Sequence, residues 1–204
     1  MNPVRNIIFD LGGIFLNLDY TRTEKAFEAL GIKDFRSMFA QHHSNPLFED
    51  LETGKLSPEG FYNAFRQATG TVITDLEIRD AWNALLLDFT EERLLWLEEI
   101  GKKYRIFLFS NTNQIHADHF LNQFSQLNTG RHFNDYFIKA YYSQELGLRK
   151  PHVASYRKIL ELENLEPAET LFIDDTAVNI EGAKQAGLQT IHLVAPRTVL
   201  DLEL

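Results

Sequence analysis

The sequence contains no cysteine, and this absence removes several classes of site at once. Without thiols the chain forms no disulfide, holds no iron–sulfur cluster and has no cysteine nucleophile. Any metal ion must therefore be bound by oxygen or imidazole ligands. Glycine, serine and proline are also too scattered to form a linker between two large domains. The length of 204 residues suits one good core, or one core with a smaller inserted module.

Long apolar stretches and clusters of basic residues are missing as well. The segment before the first apolar strand has no long apolar region and no cleavage site, so we expect a cytoplasmic protein. A net charge of -9 repels polyanions. We therefore expect neither nucleic acid nor a membrane as a partner, and an anionic substrate must be attracted by a local cation. The sequence does not decide between a monomer and a homodimer.

Short apolar runs alternate with segments of helical pattern. The predicted strands are 7–9, 105–109, 137–142, 171–173 and 190–194. The predicted helices between the later strands are 114–126, 151–162 and 177–186. Strands that are apolar along their whole length are typical of a sheet covered on both faces. This order predicts an α/β fold, a Rossmann-like three-layer parallel sheet with helices on both sides.

The interval from residue 17 to residue 89 interrupts this order, because its pattern is helical throughout. Ser57 and Pro58 form a helix start, with a capping hydroxyl followed by proline at the first helical position. We expect a small helical cap domain at 17–89, inserted into an α/β core domain formed by 1–16 and 90–204. These residues, 17–89, are called the cap segment below.

Polar residues follow four of the predicted strands. They are Asp10-Leu11-Gly12-Gly13, Ser110-Asn111-Thr112-Asn113, Gly147-Leu148-Arg149-Lys150-Pro151 and Asp174-Asp175-Thr176. In an open α/β sheet, ligands bind beyond the carboxyl ends of the strands. The four loops are therefore predicted to meet at one site.

Three carboxylates at that site indicate a metal ion. Asp10, Asp174 and Asp175 would repel one another unless a cation lay among them. Oxygen ligands without thiolates suit a hard ion, so Mg²⁺ is the predicted cofactor.

The remaining polar groups suit the transfer of a phosphoryl group through an aspartyl-phosphate. We expect Asp10 to attack phosphorus as the nucleophile. Ser110 and the backbone amide of Asn111 would hold phosphoryl oxygens, and Lys150 would bridge the nucleophile and the phosphate. The substrate would then be a small phosphorylated metabolite.

These motifs resemble those of the haloacid dehalogenase superfamily, in which phosphatases predominate. All four family motifs occur in order, and the resemblance spans nearly the whole chain. The cap segment after the first motif is similar to one subgroup of the family. Within that subgroup, the loops at 110–113 and 147–151 look most like bacterial phosphatases of sugar phosphates, such as the alpha-glucose-1-phosphate type.

The resemblance also implies roles for individual residues. Asp10 would be a metal ligand as well as the nucleophile, and the backbone carbonyl of Gly12 a second ligand. Asp175 would bind the metal directly, and Asp174 would bind it directly or through water. Asn179 would support that loop, while His116 belongs to the similarity around the second motif.

The chain departs from the family pattern at Gly12. Phosphatases of this family usually carry at that position a second aspartate that transfers protons. General acid–base catalysis is worth about two to four orders of magnitude, so we expect a slower enzyme or a substitute group. A metal-bound water, His116 and Asp19 are the candidates, and the sequence does not choose among them.

Two other functions remain open. One is a catalytically weak protein that binds phosphorylated metabolites. The other is a metal-independent 2-haloacid dehalogenase, which also lacks the second aspartate. The complete pair Asp174-Asp175 argues against the dehalogenase.

Overall fold

The computed structural model describes residues 3–33, 35–40, 43–44, 46–127 and 130–204. The strands in these ranges are β1 (Asn6–Phe9), β2 (Leu16–Leu18), β3 (Phe39–Ala40), β4 (His43–Ser44), β5 (Leu86–Phe89), β6 (Arg105–Ser110), β7 (Lys139–Tyr142), β8 (Thr170–Asp174) and β9 (Gln189–His192). The α-helices are α1 (Tyr20–Ala29), α2 (Phe35–Met38), α3 (Pro46–Glu52), α4 (Pro58–Thr69), α5 (Asp75–Asn83), α6 (Glu91–Gly101), α7 (Gln114–Ser125), α8 (Ser143–Leu146), α9 (Val153–Glu163) and α10 (Ala177–Gln185).

A five-stranded sheet with the order β7-β6-β1-β8-β9 lies at the centre of the molecule. All four neighbouring pairs are parallel, as the alternation of strands and helices predicts. Each of the five predicted strands is present, with ends that differ by one or two residues.

Both faces of this sheet are covered. Ile7 of β1 packs in one cluster with Leu97 of α6, and the next residue, Ile8, packs in another with Tyr156 of α9. Successive side chains of a strand point to opposite faces, so these two clusters lie on the two sides of the sheet. The predicted three-layer α/β fold is confirmed.

The cap segment has an aromatic core of its own. Its fully buried members are Phe27, Phe48, Phe61, Phe65 and Trp82. Ser57 caps α4 by accepting a hydrogen bond from the amide of Gly60, and Pro58 begins the helix, as predicted. Ile115 of α7 belongs to the same cluster, so this small core rests on the helix that follows β6.

The prediction that residues 17–89 are helical throughout is wrong at both ends and near the middle. β2 pairs with β5 in an antiparallel ribbon, in which Leu16 lies opposite Phe89 and Leu18 opposite Leu86. β3 pairs with β4. The chain enters and leaves the cap segment side by side, so each connection satisfies backbone groups of the other. The division into core and cap domains at 16/17 and 89/90, which falls within this ribbon, stays a prediction.

Candidate active site

Three neighbouring strands end at the predicted site. Asp10 follows β1 directly, Ser110 is the last residue of β6, and Asp174 is the last residue of β8. Because β1 lies between β6 and β8, their loops open side by side at the carboxyl edge of the sheet. β1 and β8 are buried along their length and β6 is buried from Ile106 onward, so the first polar side chain at the end of each strand lies at the edge of the core.

The three carboxylates form one cluster. Asp10, Asp174 and Asp175 each offer an oxygen within 4.8 Å of the others. Burial is the main cause that raises the pKa of Asp10 to about 7; Lys150 lowers it, and the charges of Asp174 and Asp175 raise it. Oxygen donors that repel one another in a buried place fit a hard divalent cation such as Mg²⁺.

Lys150 lies against this cluster. Its ammonium is 2.7 Å from Asp10 Oδ1 and 2.7 Å from Asp174 Oδ2. The side chain is 1% exposed. Burial by itself lowers the pKa of Lys150, but the charges of Asp10 and Asp174 raise it, and the net shift is upward. Lys150 is therefore a buried cation at the acidic cluster rather than a solvated surface lysine.

Asn111 connects the loop after β6 with the loop that carries Lys150. Its Nδ2 donates to the carbonyl of Lys150 at 2.9 Å, and its Oδ1 accepts from the amide of Lys150 at 2.9 Å. The side chain thus fixes the backbone that carries the lysine, a contact that the sequence does not reveal. Ser110 is buried and lines the same cavity as Asp10.

Asp174 is held by several protein donors. Asn179 Nδ2 lies 3.1 Å from each of its carboxylate oxygens, and the amide of Thr176 donates to Oδ1 at 2.8 Å. Asn179 therefore holds the carboxylate of Asp174 in place. Asp175 accepts from the hydroxyl of Thr176 at 3.0 Å. Of these two acids, Asp174 has more of its hydrogen-bonding capacity occupied by the protein.

The two glycines after Asp10 leave little room for side chains. A Cβ at Gly12 would lie 2.7 Å from Cδ1 of Leu18, so an apolar side chain covers the place where the family usually has an aspartate. Gly13 has a φ of +72°, and a Cβ there would lie 2.5 Å from Asp175 Oδ2. Both Gly12 and Asp175 line the cavity.

His116 lines the cavity but is tied to the cap segment. Its Nδ1 lies 2.8 Å from Asn83 Oδ1, and its ring stacks on Trp82 with centroids 4.7 Å apart. Burial, with a smaller effect of His119, lowers the pKa of His116 to about 3. The imidazole is therefore neutral near pH 7. Asp19 caps α1 by accepting from Thr21 at 3.0 Å, and it is not among the residues around the cavity.

Among the polar residues around the cavity of about 460 Å³ are three charged or phenolic side chains that have no role in the predicted site. They are Tyr20, Glu52 and Arg149. Burial raises the pKa of Tyr20, as do the charges of Asp175 and Asp10. Arg149 stands next to Lys150, the lysine of the family motif, and Glu52 and Tyr20 reach the cavity only through the fold of the cap segment. An acidic residue before a helix-ending glycine, as in Glu52-Thr53-Gly54, is too common to indicate a site.

A three-layer α/β fold with a buried acidic cluster beside a cavity at the carboxyl edge of its sheet is typical of a metal-dependent hydrolase. The family of haloacid dehalogenase-like hydrolases matches residues 4–187. The chain belongs to this family, as its four motifs predict. Among the described residues, no helix has both the length and the apolar character needed to span a membrane.

Individual relatives agree with this assignment. The D-ribitol-5-phosphate phosphatase of Bacteroides thetaiotaomicron is 31% identical over 190 residues, which cover 93% of this chain and 91% of the relative. An enzyme of the family from the same organism, solved as a variant with magnesium and inorganic phosphate, has a TM-score of 0.90 and 31% identity, covering 95% of this chain and 96% of that chain. A predicted hydrolase of Porphyromonas gingivalis has a TM-score of 0.82 and 31% identity, covering 92% and 90%.

These findings confirm the predicted enzyme class, a phosphatase within this hydrolase family. The prediction of Mg²⁺ agrees with the magnesium bound by the related enzyme and with the oxygen donors of the acidic cluster. The curated relative is named for a phosphorylated sugar alcohol, close in chemistry to the sugar phosphates of the resemblance.

Proposed function

We propose that the protein is a magnesium-dependent phosphomonoester hydrolase that forms an aspartyl-phosphate on Asp10. Its substrate would be a small phosphorylated metabolite of the sugar or sugar-alcohol class. The observation that carries the proposal is the contact of Lys150 with Asp10 and Asp174 beside a cavity that Ser110 also lines. It places a candidate nucleophile and a fixed cation together in a molecule whose net charge is -9.

In the first step, a carboxylate oxygen of Asp10 attacks phosphorus, and the bond from phosphorus to the ester oxygen breaks. The alcohol leaves after its oxygen takes up a proton. Ser110 and the amide of Asn111 hold phosphoryl oxygens, and Lys150 compensates their negative charge. In the second step, water attacks phosphorus, releases inorganic phosphate and restores the carboxylate of Asp10.

Four groups would hold the metal ion. They are the carboxylates of Asp10, Asp174 and Asp175 and the backbone carbonyl of Gly12. Bound Mg²⁺ supplies charge neutralisation at the phosphoryl oxygens. It would also relieve the repulsion that helps to raise the pKa of Asp10.

Because residue 12 is glycine, another group has to donate a hydrogen bond or a proton to the leaving oxygen. His116 is a poor donor because its pKa of about 3 leaves it unprotonated near neutral pH. Asp19 is occupied as the cap of α1. Tyr20 lines the cavity, keeps its proton because its pKa is raised, and makes no side-chain hydrogen bond with any described residue. We therefore assign to Tyr20 a hydrogen bond to the leaving oxygen, with solvent supplying the proton.

The experiment is a panel of phosphomonoesters assayed with Mg²⁺ and with excess chelator. We expect phosphate release with Mg²⁺ and its loss in chelator. The absence of phosphate release from every ester would refute the proposal. Tyr20→Phe is expected to lower kcat more than it raises KM, because the hydroxyl would act on the leaving oxygen and not on the bound ester.

A second candidate is supported by Gly12, which lacks the usual proton-transfer carboxylate, and by Leu18, which packs against this position. The protein would then be a phosphometabolite binder with little turnover. Calorimetry with a sugar phosphate distinguishes the two functions, because this candidate predicts tight binding together with no release of phosphate.

A further inference from the structure

One ion pair on the cavity wall has no part in the proposed chemistry. Arg149 Nη2 lies 2.9 Å from Glu52 Oε2. The side chains are 16% and 12% exposed, and both residues line the cavity that contains Asp10. Glu52 is the last residue of α3 in the cap segment, whereas Arg149 lies in the loop before α9 of the core. The pair therefore connects the two parts of the chain across the cavity.

A contribution to the stability of the fold does not explain why this ion pair is present. Removing two charges from water costs several kcal/mol per ion, and the attraction between them seldom gives a net gain. Burial raises the pKa of Glu52, and the charge of Arg149 only partly offsets that effect. Oε2 of this carboxylate is buried and, although it lies close to the guanidinium, makes no hydrogen bond with any described residue. A buried ion pair beside a substrate site, with a carboxylate that can still accept a hydrogen bond, is typical of ligand recognition.

The backbone on each side of the pair is fixed. Arg149 precedes Lys150, whose amide and carbonyl are both bonded to Asn111. Glu52 precedes Gly54, where a Cβ would lie 2.1 Å from the carbonyl oxygen of Gln144. The loop after α3 thus rests directly on the core backbone. The pair is held at a set place relative to the phosphate site, as recognition of the rest of a substrate requires.

We propose that Glu52 and Arg149 determine specificity by binding hydroxyl groups of the leaving alcohol. A hydroxyl donates to the carboxylate of Glu52 and accepts from the guanidinium of Arg149. The pair then selects polyhydroxylated monophosphates over alkyl phosphates of equal length. This inference rests on the proposed function, because it concerns the leaving group of the same reaction.

The test compares kcat/KM for ribitol 5-phosphate with kcat/KM for pentyl phosphate, in the presence of Mg²⁺. The wild-type ratio is expected to favour the polyol. Glu52→Gln and Arg149→Lys each lower that ratio by about ten- to hundredfold, mainly through KM of the polyol, because each weakens a charged hydrogen bond. Thermal unfolding of each variant shows whether it is folded, and either folded variant suffices for the test.

Glu98→Gln is the matched control, since it breaks a more exposed ion pair with Arg131, 3.0 Å long and outside the cavity. Its ratio should equal that of the wild type. The inference is overturned if a folded Glu52 or Arg149 variant keeps the wild-type ratio, or if both substrates lose activity equally. A wild-type enzyme that hydrolyses neither substrate nor any ester of the panel would instead overturn the proposed function.

Discussion

Lys150 shows how strongly a single residue depends on its position in this fold. Arg149 and Lys150 are adjacent cations, yet only Lys150 contacts Asp10 and Asp174, while Arg149 contacts Glu52. The family motif predicts a role for Lys150 at the phosphate, and the structure buries this side chain against Asp10 and Asp174. The role of the arginine becomes visible only when the cap segment is in place, because its partner comes from α3.

Gly12 gives a prediction at the same scale. Gly12→Asp alone should raise kcat little or lower it, because its Cβ would lie 2.7 Å from Leu18 Cδ1. Adding Leu18→Ala removes the obstructing atom, and we expect kcat to rise about tenfold or more over the single variant, within the range of general acid–base catalysis. The kcat values of both variants, and of Leu18→Ala as the control, are measured by steady-state kinetics. Equal kcat values for the single and the double variant would show that Leu18 does not obstruct the position.

At the scale of elements, α5 and α7 are joined through His116. The ring is 8% exposed, stacks on Trp82 and is bonded to Asn83. Its pKa falls from 6.5 to about 3 on folding. The unfolded chain therefore binds this proton first as pH falls, so stability that is present above pH 6.5 is lost progressively toward pH 3.

This linkage gives a pH-dependent prediction. At pH 5 the loss due to His116 is about 2 kcal/mol relative to pH 7.5. Urea unfolding of the wild type and of His116→Gln at both pH values isolates the effect, because the other titrating groups are common to both proteins. The free energy of unfolding should fall by about 2 kcal/mol more in the wild type. An equal fall in both proteins would mean that His116 is protonated in the folded state.

The junction of the cap segment with the core gives a second prediction for elements. Gly54 and Gly70 both have positive φ, at +70° and +64°, but only Gly54 has a close neighbour, the carbonyl of Gln144. Alanine at either position meets the same backbone strain. Gly54→Ala should therefore lower the free energy of unfolding by about 1–3 kcal/mol more than Gly70→Ala.

Chemical denaturation of the two alanine variants measures this difference. Gly54→Ala should also raise KM, because the loop that follows Glu52 must move and Glu52 lines the cavity. Equal losses of stability in the two variants would indicate that the loop can move away from Gln144 without lowering the free energy of unfolding.

Some elements of the fold can be predicted from the sequence, and others cannot. Four of the five strands, β1, β6, β7 and β8, can be predicted from apolar runs that are mostly buried in the sheet, whereas β9 is only partly buried. β2 and β5 are not readable, since they have three and four residues and pair only because the two connections to the cap segment lie together. Asp10, Ser110 and Asp174 lie at the ends of strands that can be predicted, so the sequence places them at one edge of the sheet. Their roles, and that of Lys150, stay predictions. Tyr20 and Glu52 depend on how the cap segment packs, which no motif records.

On the scale of the whole molecule, the acidic site has the same sign of charge as the chain as a whole. A net charge of -9 repels a phosphate ester, and the cluster of Asp10, Asp174 and Asp175 adds to that repulsion. Lys150 alone does not balance three carboxylates. A bound Mg²⁺ would balance the remaining negative charge, so the proposal makes activity dependent on the metal.

The central claim is that Asp10 carries the phosphoryl group. The most direct measurement is acid quenching of the enzyme during turnover of a radiolabelled phosphate ester with Mg²⁺, followed by peptide mapping. We expect covalent phosphate on the peptide that contains Asp10, no label in Asp10→Asn, and a fall in kcat of about a thousandfold or more in that variant. Unchanged turnover by Asp10→Asn, or label on a peptide without Asp10, would contradict the account.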